Sequence, residues 1–587
     1  MKQSSEPNQT RQLLLSLTPI QAIAVGLPAI NSLLVGFISG HFLGPSALAA
    51  IGFVGPLMYL VTMIGTTLAT GSQVKGGHQL GGGDSEGLSR TFNTTFVCAL
   101  VIGLIVSSLL IALRNVISVL LGASDELIEL TCEYILGLAP GVLFSLLFTV
   151  LLSFLQLERA EKTSTIAIVA LVIVNTSFSL IAISVLNWGL IGAAIATTLA
   201  NLVAVLICLI HFICKGSIFR FSLHSFDVNI IKDVIYLGSP SAVEPACSLI
   251  RDRVINQIVF SLGGTTAMAA MTVALNISNG IGNTISGGFT GASNLISSVL
   301  VGERDIESLR SFPKTIINAM FPIFIIAYVV LFIFARPLAL AFGAEPDKIE
   351  LYVTAIRVLN LWFITDSFKV PSISIYQSLG KIKLVSILFA LIALVFPILV
   401  AFGGKVFGFA FLMCFSWIAE VGAIAACIVY YCIKRKKFPK SIYTITDIPH
   451  TMAVPSIDRY NATIRNIKDA TDISEKITDF CSSKGLSQKT AMLCGLCIEE
   501  ISVDCILHGF TRGKKNSYSI DVRTIYENNG ISVMLRNNCP HFDPKEWLDM
   551  YGDENPERSL GLRLTMKCAK EMNYSSALGM NIITIKV

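Results

Sequence analysis

Hydrophobic and polar positions divide the chain into two unequal parts. Up to residue 437, long apolar runs alternate with short polar loops, centred near Leu27, Met58, Leu104, Leu143, Val174, Ala200, Leu249, Ile277, Ile325, Phe363, Ala390 and Ala419. Each run is about 20 residues long, enough for a helix to cross a bilayer core of ~30 Å. The pattern predicts an α-helical polytopic membrane protein of about twelve spans, half of them in residues 1–225 and half in 226–437. A polar linker, 438–455, follows, and from 456 to 587 the pattern is that of a soluble domain. There, helix-like patterns cover Arg465–Phe480, Thr490–Leu507 and Leu560–Met572. Strands are read at Ser517–Tyr526, Ile531–Arg536 and Asn581–Val587, the first two joined by the turn Glu527-Asn528-Asn529-Gly530. An α+β domain of about 130 residues is the expectation.

The membrane part repeats itself. Gly44, Ala47, Ala49, Ala50, Thr70, Gly71, Leu80, Gly82 and Arg90 match Gly264, Ala267, Ala269, Ala270, Thr290, Gly291, Leu300, Gly302 and Arg310 at one offset. With one residue of slippage, Gly122-Ala123, Ile128-Glu129-Leu130 and Gln156 match Gly343-Ala344, Ile349-Glu350-Leu351 and Gln377. Tandem sets of hydrophobic helices suggest a transporter working between two lobes.

Composition agrees: 53% of residues are hydrophobic and 14% charged, where soluble domains carry about 25% charged residues. The net charge of +5 gives no case for nucleic-acid binding. The basic residues instead collect in alternate loops, among them Lys75, Arg90, Lys162, Lys232, Arg304, Arg310, Lys381 and the Lys434-Arg435-Lys436-Lys437 cluster, with only Arg114, Arg336, Lys348 and Lys405 opposite. The positive-inside rule then places both ends of the membrane part in the cytoplasm, in a cytoplasmic membrane. The polar stretch 1–12 lacks the pattern of a signal peptide and reads as a cytoplasmic tail. The 14 cysteines are scattered rather than arranged as a disulfide framework, and Cys494-Gly-Leu-Cys497 has no second pair at zinc spacing. No GxxxxGK[ST] loop occurs, so an ABC-type pump would lack its phosphate loop, and no catalytic triad emerges in the membrane part.

The candidate chemistry lies in charges inside spans, each costing ~2.5–3.5 kcal/mol at mid-membrane. Arg251, Asp252 and Arg253 sit in one run, and Asp366 and Lys369 in another. Glu244, Ser248 and Asp252 share one helical face at i, i+4, i+8. These residues are read either as an ion or substrate site or as a static lock between the two helices. Glu133 and Glu420 are read as near helix ends, where charge is cheap.

Several stretches resemble the multidrug and toxic compound extrusion (MATE) transporters: LLVGFISGHFLGPSALAAIGFVGPL, TGSQVKGGHQLGGGDSEGLSR, LLGASDELIELTCEYILGLAP and WGLIGAAIATTLAN, within about residues 10 to 436. The resemblance implies two six-helix lobes, alternating access, and export of organic cations or other amphiphiles driven by inward Na+ or H+. Val35 and Ser179 stand where many members carry N-lobe aspartates. TDSFKVPSISIYQSLGK places Asp366 at a cation-ligating position, and the seventh-helix Glu of sodium-coupled members falls near Ser248, flanked by Glu244 and Asp252.

The tail resembles the GHKL ATPase fold, specifically the anti-sigma-factor serine kinases, in CIEEISVDCILHGF, RNNCPHFDP, SLGLRL and GMN. That resemblance puts Glu500, Asp504, His508, Asn537, Asp543 and Gly561 at nucleotide positions, with Asp504 where the Mg2+ ligand belongs, and implies an ATP-Mg2+ site, a protein partner or homodimerisation through the tail. Two other functions stay open: a membrane-anchored sensor signalling through the tail, and a flippase for lipid-linked or amphiphilic substrates.

Overall fold

The computed structural model describes residues 7–43, 45–121, 125–158, 160–213, 217, 219, 221, 227–342, 344, 346–439, 441, 444–446, 448, 455–509, 519–527, 530–537, 548, 563, 566, 569–577 and 580–586. The first half is six long helices: α1 (Pro7–Leu43), α2 (Pro45–Gly81), α3 (Ser85–Leu120), α4 (Asp125–Leu157), α5 (Glu161–Ser184) and α6 (Gly189–Ile213). A short amphipathic helix, α7 (Val228–Gly238), leads into the second half. There follow α8 (Pro240–Ile277), a π-helical turn at Ser278–Gly282, α9 (Asn283–Gly302), α10 (Ile306–Ala341), α11 (Ile349–Leu359), α12 (Trp362–Ser378), α13 (Ile382–Ala390), α14 (Phe396–Phe407), α15 (Phe409–Leu412) and α16 (Phe415–Arg435). We call α1–α6 the N-lobe and α8–α16 the C-lobe.

Eight helical stretches are long and apolar enough to cross a membrane among the described residues: Ala50–Gly81, Ser85–Leu120, Leu127–Leu157, Lys162–Ser184, Gly189–Ile213, Ile306–Ala341, Ile382–Phe407 and Phe415–Arg435. Leu104, Ile105, Ile173, Ile326, Phe334 and Leu399 stand exposed on them, an apolar outer surface suited to lipid. Helix α8 is not one rod. Gly263 (φ −155°, ψ 18°) and Gly264 (φ 59°, ψ −146°) leave helical geometry, and the second is open to glycine but not to most side chains.

The repeat is visible in how helices begin. Asp84 caps α3 by accepting from Gly87 N (2.8 Å), and Asp305 caps α10 by accepting from Ser308 N (3.2 Å). Each cap is followed by an acidic residue in the first turn, Glu86 and Glu307, where carboxylates favour the helix dipole.

The tail holds α17 (Ile467–Ser483), α18 (Gln488–Asp504) and strands β1 (Arg459–Ile464), β2 (Ile520–Glu527), β3 (Gly530–Asn537), β4 (Glu571–Ala577) and β5 (Met580–Lys586). The sheet is antiparallel, in the order β1-β2-β3-β5-β4. Val522, Val533, Leu535, Ile583 and Ile585 face the two helices through Ile473, Ile477, Cys494 and Ile498. The sequence reading needs correction at two strands. β1 was not foreseen, and Glu571 and Met572, read as the end of a helix, open β4. Both are edge strands, where one-sided pairing and weak burial leave little alternation to read.

Candidate coupling site

Helix α12 carries a fully buried charge, Asp366, and a partly buried one, Lys369. The Asp366 side chain is fully buried. Its Oδ1 lies 2.5 Å from Lys369 Nζ, one turn along the same helix, and Oδ2 accepts no hydrogen bond among the described residues. Lys369 Nζ also donates to Glu420 Oε1 on α16 at 2.7 Å. The other Glu420 oxygen accepts from Thr365 Oγ1. The Lys369 ammonium sits 5.9 Å from the Trp362 ring centroid, a further favourable contact for a cation. One ammonium is thus held between two carboxylates. A buried pair of this kind persists because each charge has a partner; removing one strands the other at about 3–5 kcal/mol.

The seventh-span candidates enter this site only in part. Glu244 is exposed but within electrostatic reach of Lys369. Ser248 is half-buried beside it on α8. Asp252 is exposed and pairs with its neighbour Arg251 at 2.8 Å, and Arg253 is exposed. The shared face of Glu244, Ser248 and Asp252 therefore does not converge on Asp366 as a three-residue set. Glu420, read as a helix-end charge, is the residue the sequence undervalued: it is 5% exposed and contacts Lys369 directly. Its signal was present in the sequence as a lone acid in an apolar run, but its partner lies 51 residues away.

The corresponding place in the N-lobe is neutral. Val35 packs with Ile38, Ile183 and Ala193. Asn175 Oδ1 accepts from Ser179 Oγ and Thr197 Oγ1, each at 3.3 Å. Hydroxyls and an amide satisfy one another there, with no titrating group in contact with them among the described residues.

At the tail, Glu500 and Asp504 are half-buried on α18, and burial pushes the Glu500 carboxyl up, with Glu499 adding to it. Asn537 is buried, and its Oδ1 accepts from Asn581 Nδ2 at 2.9 Å while Tyr574 Oη donates to Asn581 Oδ1 at 2.7 Å. Asn537, one of the nucleotide positions that the resemblance implies, thus has its carbonyl hydrogen-bonded within the sheet. The His508 side chain, Asp543 and Gly561 lie outside the described residues. Cys494 and Cys497 are buried in the tail core, and no cluster of metal-ligating residues forms among the described residues.

The lobes meet where α2 and α9 approach the tail. A Cβ on Gly81 would lie 2.2 Å from Val299 O, and one on Gly302 2.2 Å from His78 O. Only glycine permits such backbone contact. His78 Nε2 is 2.8 Å from Ser378 O, and Ser378 Oγ is 2.6 Å from Ser297 Oγ. Packed backbone and the His78–Ser378 contact hold the two lobes against each other on the tail side.

Comparison with known proteins bears on this architecture. The chain matches the MatE family model over residues 22–181 and 240–402. It is 25% identical over 377 residues to the probable multidrug resistance protein NorM of Photorhabdus laumondii, covering 62% of this chain and 81% of that protein. It is 22% identical over 424 residues to the multidrug export protein MepA of Staphylococcus saprophyticus, covering 71% and 93%. Among solved structures, an outward-facing multidrug resistance MATE family transporter of the MOP superfamily superposes with a TM-score of 0.69 at 21% identity, covering 75% of this chain and 97% of that one. A MOP superfamily transporter from Pyrococcus furiosus, described by a reversed polarity of its binding pocket, gives 0.66 at 22% identity, covering 76% and 100%. The tail lies beyond the residues matched by the family model.

Proposed function

The chain belongs to the MatE family, and from that premise we propose that it is a multidrug exporter of amphiphilic or cationic small molecules, driven by protons taken up at Asp366, Lys369 and Glu420. The observation that carries the site is Asp366: a fully buried carboxylate in a membrane helix whose Oδ2 has no hydrogen-bond donor among the described residues. Such groups in a membrane mark ion or proton paths by default. Two carboxylates and one ammonium leave one negative charge, which one proton neutralises.

Sodium fits the cluster poorly. Lys369 Nζ already occupies the cation position, 2.5 Å and 2.7 Å from the two carboxylate oxygens. At ~4 Å the ammonium would take back about 4 kcal/mol, at an effective dielectric of 20, of a second cation's attraction to the carboxylates. Protonation changes the charge of the cluster without needing that space. Its differential stability in the two lobe arrangements would couple proton entry to substrate exit.

In this reading the chain crosses the membrane twelve times. The break at Gly263–Gly264 divides α8 into two passes, α11 with α12 forms one, and α13 with α14 another. Both ends then lie in the cytoplasm, as the basic loops favour. The tail acts as a docked regulatory domain on that side, with no step run through a nucleotide.

The test is efflux of a fluorescent organic cation from proteoliposomes under an imposed pH gradient and, separately, a Na+ gradient. Flux that follows pH and ignores Na+ supports the reading. Flux that follows Na+ alone removes the proton assignment, and absence of flux under both removes the exporter.

A further inference from the structure

We propose that the tail sheet is a latch: its outer face straddles two repeat-related turns, one from each lobe, and holds the lobes together on the tail side. The turns are Gly82–Asp84, between α2 and α3, and Glu303–Asp305, between α9 and α10. Their hydrogen bonds correspond one for one. Gly82 N, Gly83 N and Asp84 N donate to His78 O, Leu80 O and Gln79 O; Glu303 N, Arg304 N and Asp305 N donate to Val299 O, Val301 O and Leu300 O. Each turn has a left-handed residue, Gly83 at φ 72° and Arg304 at φ 54°. For a side chain larger than glycine this conformation is strained, and it persists where the surroundings hold it.

The tail supplies those surroundings. Arg523 donates to Glu303 O at 3.1 Å and to Arg304 O, so its guanidinium grips both carbonyls of the strained turn. Arg536 donates to Glu303 Oε2 at 3.0 Å, and Arg459 pairs with Glu307. On the N-lobe turn, Thr584 packs on Gly83, where a Cβ would lie 3.4 Å from Oγ1. Between these contacts Met534 and Ile582 join the core of the membrane body. Pleating explains the division. Val533, Leu535, Ile583 and Ile585 face the tail helices, so Met534, Arg536, Ile582 and Thr584 point the other way. Ile582 is 1% exposed and Thr584 6%, so β5 is buried on both faces, by its own helices and by the transporter.

The inference rests on the alternating-access reading above. Opening toward the tail requires α2 and α9 to separate at Gly81 and Gly302, and the two turns must separate with them. A hydrogen-bonded sheet that is bonded to the C-lobe turn and packed on the N-lobe turn opposes that motion, so the tail has to undock before this side opens.

The test uses the full chain in proteoliposomes with the pair Gly83→Cys and Thr584→Cys. The Cβ positions are 3.7 Å apart, within the 3.5–4.5 Å that suits a disulfide. Arg304 already fills the equivalent left-handed place without glycine. Oxidation pins the tail to the N-lobe while the Arg523 and Arg536 contacts hold the C-lobe. Expected are a tenfold or greater fall in flux and a matching slowing of amide exchange at residues 76–84 and 296–305, both reversed by reductant. Each single-cysteine variant, oxidised in parallel, accounts for the native thiols. The double variant Arg523→Ala/Arg536→Ala should move both readings the opposite way. A complete crosslink that changes neither flux nor exchange overturns the latch, and so does a pair that never crosslinks under oxidation. If flux is absent throughout but exchange still responds to oxidation, the latch stands and the exporter reading falls.

Discussion

Asp366→Asn separates the charge of this residue from its shape. The replacement is isosteric. Lys369 keeps Glu420 at 2.7 Å and loses only the 2.5 Å ion pair. No charge is stranded, so the stability cost should fall near the ~1.5–3 kcal/mol of a hydrogen bond to a charged group, below the ~3–5 kcal/mol of a buried charge left alone. The effect on coupling follows from the charge of the cluster. Its single excess negative charge takes one proton, and one proton exchanged for one monovalent organic cation moves no net charge. Each pH unit is then worth about 1.4 kcal/mol per proton, or about tenfold accumulation of substrate at equilibrium. The unaltered protein in proteoliposomes should concentrate such a cation about tenfold per imposed pH unit. The variant should still exchange labelled for unlabelled substrate when no gradient is imposed, yet accumulate none. Undiminished accumulation by the variant would refute the reasoning and move the proton to Glu420 or Glu244. Loss of gradient-free exchange as well would make Asp366 a substrate-binding or structural group instead.

Three further outcomes are expected. Lys369→Met leaves Asp366 and Glu420 facing each other without a cation and should destabilise the membrane part by about 3–5 kcal/mol, whereas Lys369→Arg should cost less; thermal unfolding in detergent compares them, and equal effects would deny the ammonium its bridging role. Gly302→Ala brings a methyl to 2.2 Å from His78 O and should cost about 1–3 kcal/mol through overpacking, speeding amide exchange at residues 76–84; unchanged exchange would mean that the contact gives way without parting the lobes. Burial pushes the Glu303 carboxyl above its ordinary value of 4.5, with Arg536 pulling it down less strongly. A carboxyl raised on docking favours the docked state at low pH and loses that contribution as pH climbs through the raised value. Docking should therefore tighten as pH falls toward 4.5, and Glu303→Gln should flatten the dependence. Protection of the β5 amides, corrected for intrinsic exchange, reads this, and the same pH dependence in both proteins would exclude Glu303.

The membrane class, the two-lobe repeat and the exceptional status of Asp366 and Lys369 were legible along the chain, because a run of apolar residues needs lipid and a charge within it needs a reason. These are properties of single segments, legible in one dimension. The partners of those charges were decided only by tertiary packing. Asp252 shares a helical face with Glu244 and Ser248, yet it turns to Arg251, while Glu420 arrives from α16 to complete the cluster. The repeat shows the same limit on a smaller scale. Residue identity aligned Gly82 with Gly302, but the hydrogen bonds pair Gly82 with Glu303 and Gly83 with Arg304. Turn geometry is set by backbone conformation, and matching letters follow it only approximately. In the tail, the central strands were legible from alternation against a helical layer, and the edges were not. Nothing in the one-dimensional pattern announced that the far face of β5 would be covered too, because its cover, the turns at Gly83 and Glu303, comes from chain hundreds of residues earlier.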